Sequence, residues 1–288
     1  MFLICIFEAI KQSNMKFKHF TLCLFTVFML VNCSTNPFTG KSTIALVSND
    51  RLIPMSFQQY NQVLSESNVV KQGDQAEMIN RVGNKIRVAA ERWLDANGYQ
   101  GYTDSYEWEY NLIDEDIVNA WAMPGGKIAF YTGILPVAEH ERGIALIMGH
   151  EVAHALANHG QQRMSKGLAS QIIGTAGAVG MSLSEMEPRQ QQQILMAYGV
   201  GTQLGIMAYS RKHETEADKI GIMLMAIAGY DPTDAYKLWE RMSAASNGNA
   251  PPEFLSTHPS YDTRINNLKN WAPMAKEEAR KFGVTSFN

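Results

Sequence analysis

The chain has 288 residues, of which 45% are hydrophobic and 18% charged, and its formal net charge at pH 7 is −3. This composition supports one large domain or two small ones with a substantial core, and it excludes a disordered chain. The slightly acidic balance excludes a strongly basic nucleic-acid-binding protein as the first hypothesis. All three cysteines lie within the first 33 residues, so the sequence excludes a disulfide scaffold for everything downstream.

The N-terminal segment has the pattern of a secretory signal peptide. A short basic stretch at residues 15–19 precedes residues 20–31, which are apolar apart from two threonines. An apolar run of about 12 residues is too short for a membrane-spanning helix, which needs about 20. We therefore predict a signal peptide over residues 1–32, with Met15 as an alternative start.

The apolar segment ends in Leu30-Val31-Asn32-Cys33, which resembles a bacterial lipobox. The cysteine of that motif becomes the lipid-modified first residue, so we predict lipidation of Cys33. Ser34 is not acidic, and by resemblance to proteobacterial sorting this favours the periplasmic face of the outer membrane. Residues 33–50 are then a lipid-anchored tether. The alternative is an ordinary signal peptide with an incidental cysteine.

Helical spacing dominates the rest of the chain. Residues 51–66 and 74–97 carry apolar residues at steps of three and four, and Asn97-Gly98 is a suitable stop for the second helix. From about residue 139 onward nearly everything has a helical pattern. No convincing linker interrupts the sequence, so we predict a single domain over residues 51–288.

Three short strands are predicted between the two helical regions. Residues 106–113 alternate between apolar and polar, and residues 117–122 and 127–132 flank the turn sequence Pro124-Gly125-Gly126. The predicted fold class is α+β, mainly α, with a small β-sheet.

Residues 150–154 read His-Glu-Val-Ala-His. On a helix, two histidines four positions apart lie about 40° apart, so both rings can reach one metal ion. Glu151 lies about 100° around the helix from His150, close enough to act on a water molecule bound to that metal. The surrounding helix, residues 141–158, is apolar on nearly every side and is predicted to be central and buried. Burying these groups unpaired would cost several kcal/mol. The sequence therefore predicts a metal centre, with a satisfied pair of core histidines as the alternative.

A zinc site of this type needs a third protein ligand. The long three-histidine motif is absent, because Gly160 stands where its third histidine would be. Glu214 and Asp218 face the same way on a second helical run, residues 211–228. We predict that Glu214 binds zinc and that Asp218 accepts the N–H of a ligating histidine. Glu216 lies about 200° from Glu214 around that helix and is expected elsewhere.

These motifs together resemble the gluzincin metallopeptidases of the CAAX-prenyl-protease, Oma and HtpX type, and among them the soluble bacterial lipoproteins similar to BepA and LoiP. The resemblance covers about residues 34–272. No tetratricopeptide-repeat domain follows, which favours the shorter LoiP-like form. The matching blocks are residues 119–128, residues 150–154, Ser210-Arg211 with residues 214–218, and residues 256–259.

The resemblance implies a zincin-type fold with the histidine motif on its central helix and one Zn²⁺ per chain. It implies that His150, His154 and Glu214 are the zinc ligands and that Glu151 is the catalytic base that takes a proton from the water activated by zinc. It also implies an endopeptidase that degrades misfolded or unassembled cell-envelope proteins.

Two downstream residues are candidates for stabilising the oxyanion that forms during peptide hydrolysis, namely His258 and Arg264. His258 precedes Pro259 and should therefore have an extended backbone on a loop. It could instead occupy the fourth zinc position and hold the enzyme latent, or it could be an ordinary surface-loop histidine. For Arg264 the alternative is a structural ion pair.

The block around Asn119, Ala120 and Trp121 is a candidate edge strand to which an extended substrate adds through backbone hydrogen bonds. The alternative is a simple core hairpin, and both can hold together. The remaining histidines of the mature chain, His140, His159 and His213, are expected to be structural or solvated.

Other classes of function stay open at this point. The runner-up is a chaperone or assembly factor for outer-membrane proteins whose zinc site is latent or structural. A zinc hydrolase acting on cell-wall material is a further alternative. Transmembrane prenyl-protein processing is excluded, since no apolar span of about 20 residues follows residue 32. The expected partners are unfolded or misfolded envelope proteins and, through the lipid, a membrane, without nucleic acid.

Overall fold

The structure is a computed structural model, and it describes residues 32–179, 209–245, 254–255, 258 and 262–288. The predicted signal peptide, apart from Asn32, lies outside these residues. So do three of the four residues of the block at 256–259.

The described residues begin with an N-terminal hairpin, formed by the antiparallel strands β1 (Asn32–Thr35) and β2 (Ser42–Ala45). Asn36, in the turn, is only 4% exposed. Immediately after β2, the backbone N–H of Leu46 donates to the Ser165 hydroxyl at 3.1 Å. The segment predicted as a tether is therefore held against the helical domain along this stretch.

A second, three-stranded sheet has the order β3-β5-β4, with β3 (Glu109–Ile113), β4 (Ala120–Met123) and β5 (Lys127–Tyr131). The central strand β5 is buried along its whole length, runs parallel to β3 and runs antiparallel to β4. Strand β4 is thus an edge strand of this sheet.

The strand predicted over residues 106–113 begins three residues later than expected. Glu109 pairs with Lys127, the first residue of β5. Residues before Glu109 face the turn at Gly125 and Gly126, whose φ angles of 87° and 86° interrupt the ladder. A side chain at Gly126 would lie 2.7 Å from the Trp108 ring, so this turn needs glycine.

The helical predictions are confirmed to within two residues at each end. The helices at 51–66, 74–97, 141–158 and 211–228 are the four predicted ones. A short 3₁₀ turn (Thr132–Ile134) precedes α3. The helices of the described residues are α1 (Asn49–Glu66), α2 (Asp74–Ala96), α3 (Leu135–Ala138), α4 (Glu141–Leu156), α5 (His159–Val179), α6 (Arg211–Ile227), α7 (Tyr236–Ala244) and α8 (Asp262–Lys281).

Helix α4 lies at the centre of the core, and every residue from Gly143 to Leu156 is buried. It crosses α6 where Gly149 faces Gly221. A Cβ at Gly149 would lie 2.6 Å from the carbonyl oxygen of Gly221, and a Cβ at Gly221 would lie 2.8 Å from the nitrogen of His150. Because both positions lack a side chain, the two helices touch backbone to backbone beside His150.

The predicted fold class is confirmed: a mainly helical α+β domain with a small sheet and the histidine motif on its central helix. Among the described residues, no helix combines the length and the apolar character that crossing a membrane requires.

Candidate metal centre and active site

Four buried side chains from three parts of the chain converge beside the α4–α6 crossing. The ligand atoms of His150, His154, Glu214 and His258 all lie within 4.8 Å of one another. The Nε2 atom of His150 is 3.0 Å from Nε2 of His154 and 3.1 Å from Nδ1 of His258. Oε1 of Glu214 lies 3.3 Å from Nε2 of His154 and 3.1 Å from Nδ1 of His258. Each of the four residues is at most 2% exposed.

The donor set fits a zinc ion. Tetrahedral coordination at about 2.0–2.1 Å places neighbouring donor atoms about 3.3 Å apart. The distances between neighbouring donors here are 3.0 to 3.5 Å. Three imidazole nitrogens and one carboxylate are ligands that zinc prefers, and nitrogen atoms facing one another in a buried cluster call for a cation between them.

Local structure explains the convergence. The one-turn spacing of His150 and His154 puts both rings on one face of α4. Ser210 caps the start of α6, where its side chain accepts the backbone N–H of His213 at 3.3 Å, so Glu214 falls in the first turn. The glycine contact between α4 and α6 then brings that turn to the histidines.

Two of the four groups have protonation states that suit a metal centre directly. Burial lowers the pKa of the His154 imidazole well below its usual value, so the ring is neutral, as a metal ligand must be. Burial alone would raise the pKa of the Glu214 carboxyl. The neighbouring His258 and hydrogen bonds from the histidines instead hold that pKa well below its usual value, which keeps the carboxyl ionised. Burial alone would lower the pKa of a third group, His150, but hydrogen bonds to Asp218 and Glu214 raise it to about 9, so a metal ion bound there displaces a proton.

Behind His150 lies a carboxylate–arginine pair. The Nδ1 atom of His150 is 3.0 Å from Oδ1 of Asp218. Arg264 donates to both Asp218 oxygens at 2.6 Å and to Glu214 at 2.8 Å, and its guanidinium lies 3.6 Å over the Trp239 ring. Burial alone would raise the pKa of Asp218, but Arg264 and His150 hold it below its usual value. Arg264 thus forms the structural ion pair that was the alternative to stabilising an oxyanion. Through this pair it holds Asp218, which contacts His150, and the ligand Glu214 in position.

Behind His154 lies a group that the sequence analysis missed. The Nδ1 atom of His154 is 3.0 Å from Nδ1 of His159, whose Nε2 is 3.7 Å from the carboxylate of Glu216. Asn36 of the N-terminal hairpin donates to the same carboxylate. Tyr209 stacks on the His154 ring with centroids 3.9 Å apart.

One sequence signal could have pointed to His159. Helix α4 ends at Leu156, and Asn158 has a φ of 56°, a conformation that asparagine tolerates better than most residues. This turn folds the chain back so that the first residue of α5 faces His154. No comparable signal marks Glu216 or Tyr209.

The carboxyl of Glu151 lies next to the cluster and is 2% exposed. The backbone N–H of Ala122 faces it, and its Oε1 is 3.6 Å from Nε2 of His258. Among the described residues, Oε1 has no hydrogen-bond partner. Burial raises the pKa of this carboxyl, which makes it a stronger base at the moment it accepts a proton.

The edge strand β4 runs beside Glu151. Because Asn119 pairs with β5 by accepting the N–H of Tyr131 at 3.1 Å, the antiparallel alternation directs Ala120 and Ala122 to the free edge. The Asn119 side chain accepts the N–H of Ala120 at 2.9 Å. The side chain of Trp121 instead packs in the core, 9% exposed. Of the three predicted edge residues, Ala120 therefore faces the free edge, as Ala122 does. Because the N–H of Ala120 donates to Asn119 and that of Ala122 faces Glu151, the groups they offer at this edge are their carbonyls.

His258 is 2% exposed, which is not the position of a surface-loop histidine. Its backbone N–H donates to the carbonyl of Phe254 at 2.8 Å, and the N–H of Phe254 donates to the carbonyl of Val118 at 3.1 Å. The segment that carries His258 is thus tied to the residues just before β4.

Comparison with known proteins adds to this geometry. The family model described as Peptidase family M48 matches residues 80–272, which include the whole cluster. The chain is 39% identical over 172 residues to the mitochondrial metalloendopeptidase OMA1 of Schizosaccharomyces pombe, covering 59% of this chain and 48% of that protein. It is 32% identical over 206 residues to OMA1 of Saccharomyces cerevisiae, covering 67% and 55%.

A bacterial relative also matches. The chain is 29% identical over 181 residues to the beta-barrel assembly-enhancing protease of Escherichia coli strain K12, covering 61% of this chain and 37% of that protein. The chain spans about half the length of the OMA1 relatives, and less of the bacterial one.

Proposed function

The chain belongs to peptidase family M48, and on this premise we propose that it is a zinc-dependent endopeptidase. In this proposal His150, His154 and Glu214 hold Zn²⁺ and Glu151 is the general base. The observation that carries it is the convergence of four buried donor atoms beside a carboxylate oxygen, Oε1 of Glu151, that has no hydrogen-bond partner among the described residues.

Zinc, when bound, supplies Lewis acidity that acidifies water and polarises a peptide carbonyl. Glu151 takes a proton from the attacking water and returns it to the leaving amine, a role for which its buried carboxyl is suited. A substrate strand donates its N–H groups to the backbone carbonyls of Ala120 and Ala122 at the free edge of β4. Because this pairing uses backbone groups, it selects extended chains more than particular sequences.

Glu151→Gln tests the base. The purified full chain with zinc should degrade casein, and the variant should lose about 100-fold or more of that activity while still binding zinc. Glu141→Gln is the matched control, because Glu141 lies on the same helix but forms a partly exposed ion pair with Arg81. Casein degradation that survives in Glu151→Gln would contradict the proposal.

We also propose that the described arrangement is a latent form. Three protein ligands leave zinc one open position, and four close it. His258 supplies a fourth donor here. A substrate strand that extended along the edge of β4 to Val118 would compete with the N–H of Phe254, so substrate binding and release of His258 are linked.

His258→Ala separates a latch from a catalytic group. If His258 is a latch, the variant should degrade casein faster than wild type. If His258 stabilises the transition state instead, activity should fall. If neither protein cleaves although both bind zinc, the closed site favours the second candidate function, a chaperone or assembly factor for outer-membrane proteins.

We propose further that the substrates are unfolded or misfolded cell-envelope proteins and that a lipid on Cys33 anchors the chain at the periplasmic face of the outer membrane. The lipobox-like sequence and the similarity to a beta-barrel assembly-enhancing protease support this proposal. Labelled palmitate should enter the wild-type chain but not Cys33→Ser, and the label should fractionate with the outer membrane. A label retained by Cys33→Ser would contradict lipidation at this residue.

A further inference from the structure

If Nε2 of His154 binds zinc, as the proposed function requires, elementary chemistry decides which nitrogen of the His154–His159 contact donates a hydrogen bond and which accepts it. A neutral imidazole that binds metal through Nε2 carries its proton on Nδ1. The Nδ1 of His154 is 3.0 Å from the Nδ1 of His159. Two N–H groups cannot point at each other across that distance, so Nδ1 of His159 is the acceptor and its proton lies on Nε2.

That assignment fits the groups beyond His159. Its Nε2 is 3.7 Å from a Glu216 carboxylate oxygen, which favours a proton at this position. The side chain of Glu216 is 14% exposed, and it accepts a hydrogen bond from Asn36 of the N-terminal hairpin. His159 itself is fully buried, and the His213 ring stacks on it with centroids 4.4 Å apart.

We propose that His159 and Glu216 are positioning residues for the ligand His154. The acceptor on His159 fixes the ring orientation and tautomer of His154, and Glu216, held by Asn36, fixes the tautomer of His159. The proposal rests on the zinc site of the proposed function. Its consequence is that a residue of the N-terminal hairpin contributes to the geometry of a ligand about 120 residues away in sequence.

Zinc affinity tests this role without relying on catalysis. The full chain is titrated with Zn²⁺ in competition with a chromogenic chelator. His159→Ala should weaken zinc binding about 10- to 100-fold, the usual loss when a group that supports a ligand is removed. His159→Asn should restore affinity to within a few-fold of wild type, because its amide oxygen can accept from His154 at the same position.

His213→Asn is the matched control. It removes an imidazole that packs on His159 but makes no contact with Nδ1 of His154, and zinc affinity should stay within about twofold. Equal losses in His159→Ala and His213→Asn would overturn the proposal, since packing alone would then explain both. Unchanged affinity in His159→Ala, or no recovery in His159→Asn, would also overturn it. A wild-type chain that fails to bind zinc would contradict the proposed function instead.

The tautomer gives a second readout that needs no variant, in case His159→Ala does not fold. Long-range ¹H–¹⁵N correlation spectra of the zinc-loaded chain, labelled with ¹⁵N only in histidine, distinguish the two neutral tautomers and the doubly protonated ring. His159 should carry its proton on Nε2 alone. A proton on its Nδ1 would contradict the assignment.

Discussion

His150 and His154 project from the same helix one turn apart, but the groups behind them differ. His150 contacts Asp218 directly, and Asp218 is held by Arg264 inside the core. His154 contacts a second histidine, and the chain of contacts continues through a partly exposed carboxylate to the N-terminal hairpin. One support is built from helices of the core, and the other depends on a segment outside it.

The two supports therefore contribute differently to the metal centre, one mainly to the stability of the fold and the other mainly to the geometry of a ligand. The groups behind His150 are buried charges, so their removal should destabilise the fold as well as the site. Behind His154, by contrast, the group in direct contact is the imidazole of His159, and the Glu216 carboxylate beyond it is 14% exposed, so removing them should change ligand geometry more than folding.

The substitution with the largest expected effect is Arg264→Met, which should lower the free energy of unfolding. This change keeps the length of the side chain but leaves Asp218 and Glu214 buried without the guanidinium that pairs with both. Removing one partner of a buried ion pair typically costs about 3–5 kcal/mol. We expect a loss of that size in the free energy of unfolding of the metal-free chain, measured by urea denaturation.

Arg280→Met is the control for that measurement. Arg280 pairs with Glu277 at 2.7 Å, but both side chains are more than half exposed. An exposed pair of this kind contributes less than about 1 kcal/mol. If Arg264→Met were no less stable than Arg280→Met, the support behind His150 would not be part of the folded core.

The second prediction compares the two supports through zinc binding. Asp218→Asn removes the charged acceptor that touches His150 and should weaken zinc affinity about 10- to 100-fold. Glu216→Gln acts one residue further from its ligand and should cost less than about 10-fold. Chelator competition measures both. An equal loss in Glu216→Gln would show that the two supports are equivalent, and a larger one would reverse their expected order.

The fold could be predicted from the sequence where spacing along one element decides it. Helix α2 has apolar residues at steps of three and four, and α4 is apolar all round, so the structure confirms both to within two residues. The start of β3 could not be predicted, because pairing with β5 decides it. The contact of Gly149 with Gly221 is likewise a property of two helices, which neither glycine shows in the sequence.

The residues of the site likewise divide into those that spacing along one element predicts and those that it does not. His150, His154, Glu214 and Asp218 could be proposed because each pair has a one-turn spacing on a helix, and the structure brings all four together. Glu216 faces away from that set on α6 and is linked to the centre through His159. Its role depends on the turn at Asn158 and on the N-terminal hairpin, and no spacing within one element encodes either.

The smallest expected effect is at the hairpin end of the second support. Asn36 is 4% exposed and bridges two groups: its side-chain oxygen accepts the N–H of Phe38 at 2.9 Å, and its amide donates to Glu216. Asn36→Asp keeps the shape and the first bond but places a carboxylate against the Glu216 carboxylate. We expect a loss of about 1 kcal/mol in the free energy of unfolding and a weakening of zinc affinity of only a few-fold.

A double-mutant cycle isolates this contact from other effects of the substitution. When Asn36→Asp is combined with Glu216→Gln, the new amide can donate to the new carboxylate, so the pair regains a hydrogen bond with its direction reversed. The double variant should be more stable than the sum of the two single changes predicts, by about 0.5 kcal/mol or more. Strict additivity would mean that the N-terminal hairpin and Glu216 act independently. The support behind His154 would then end at Glu216, within the helical domain, just as the support behind His150 does.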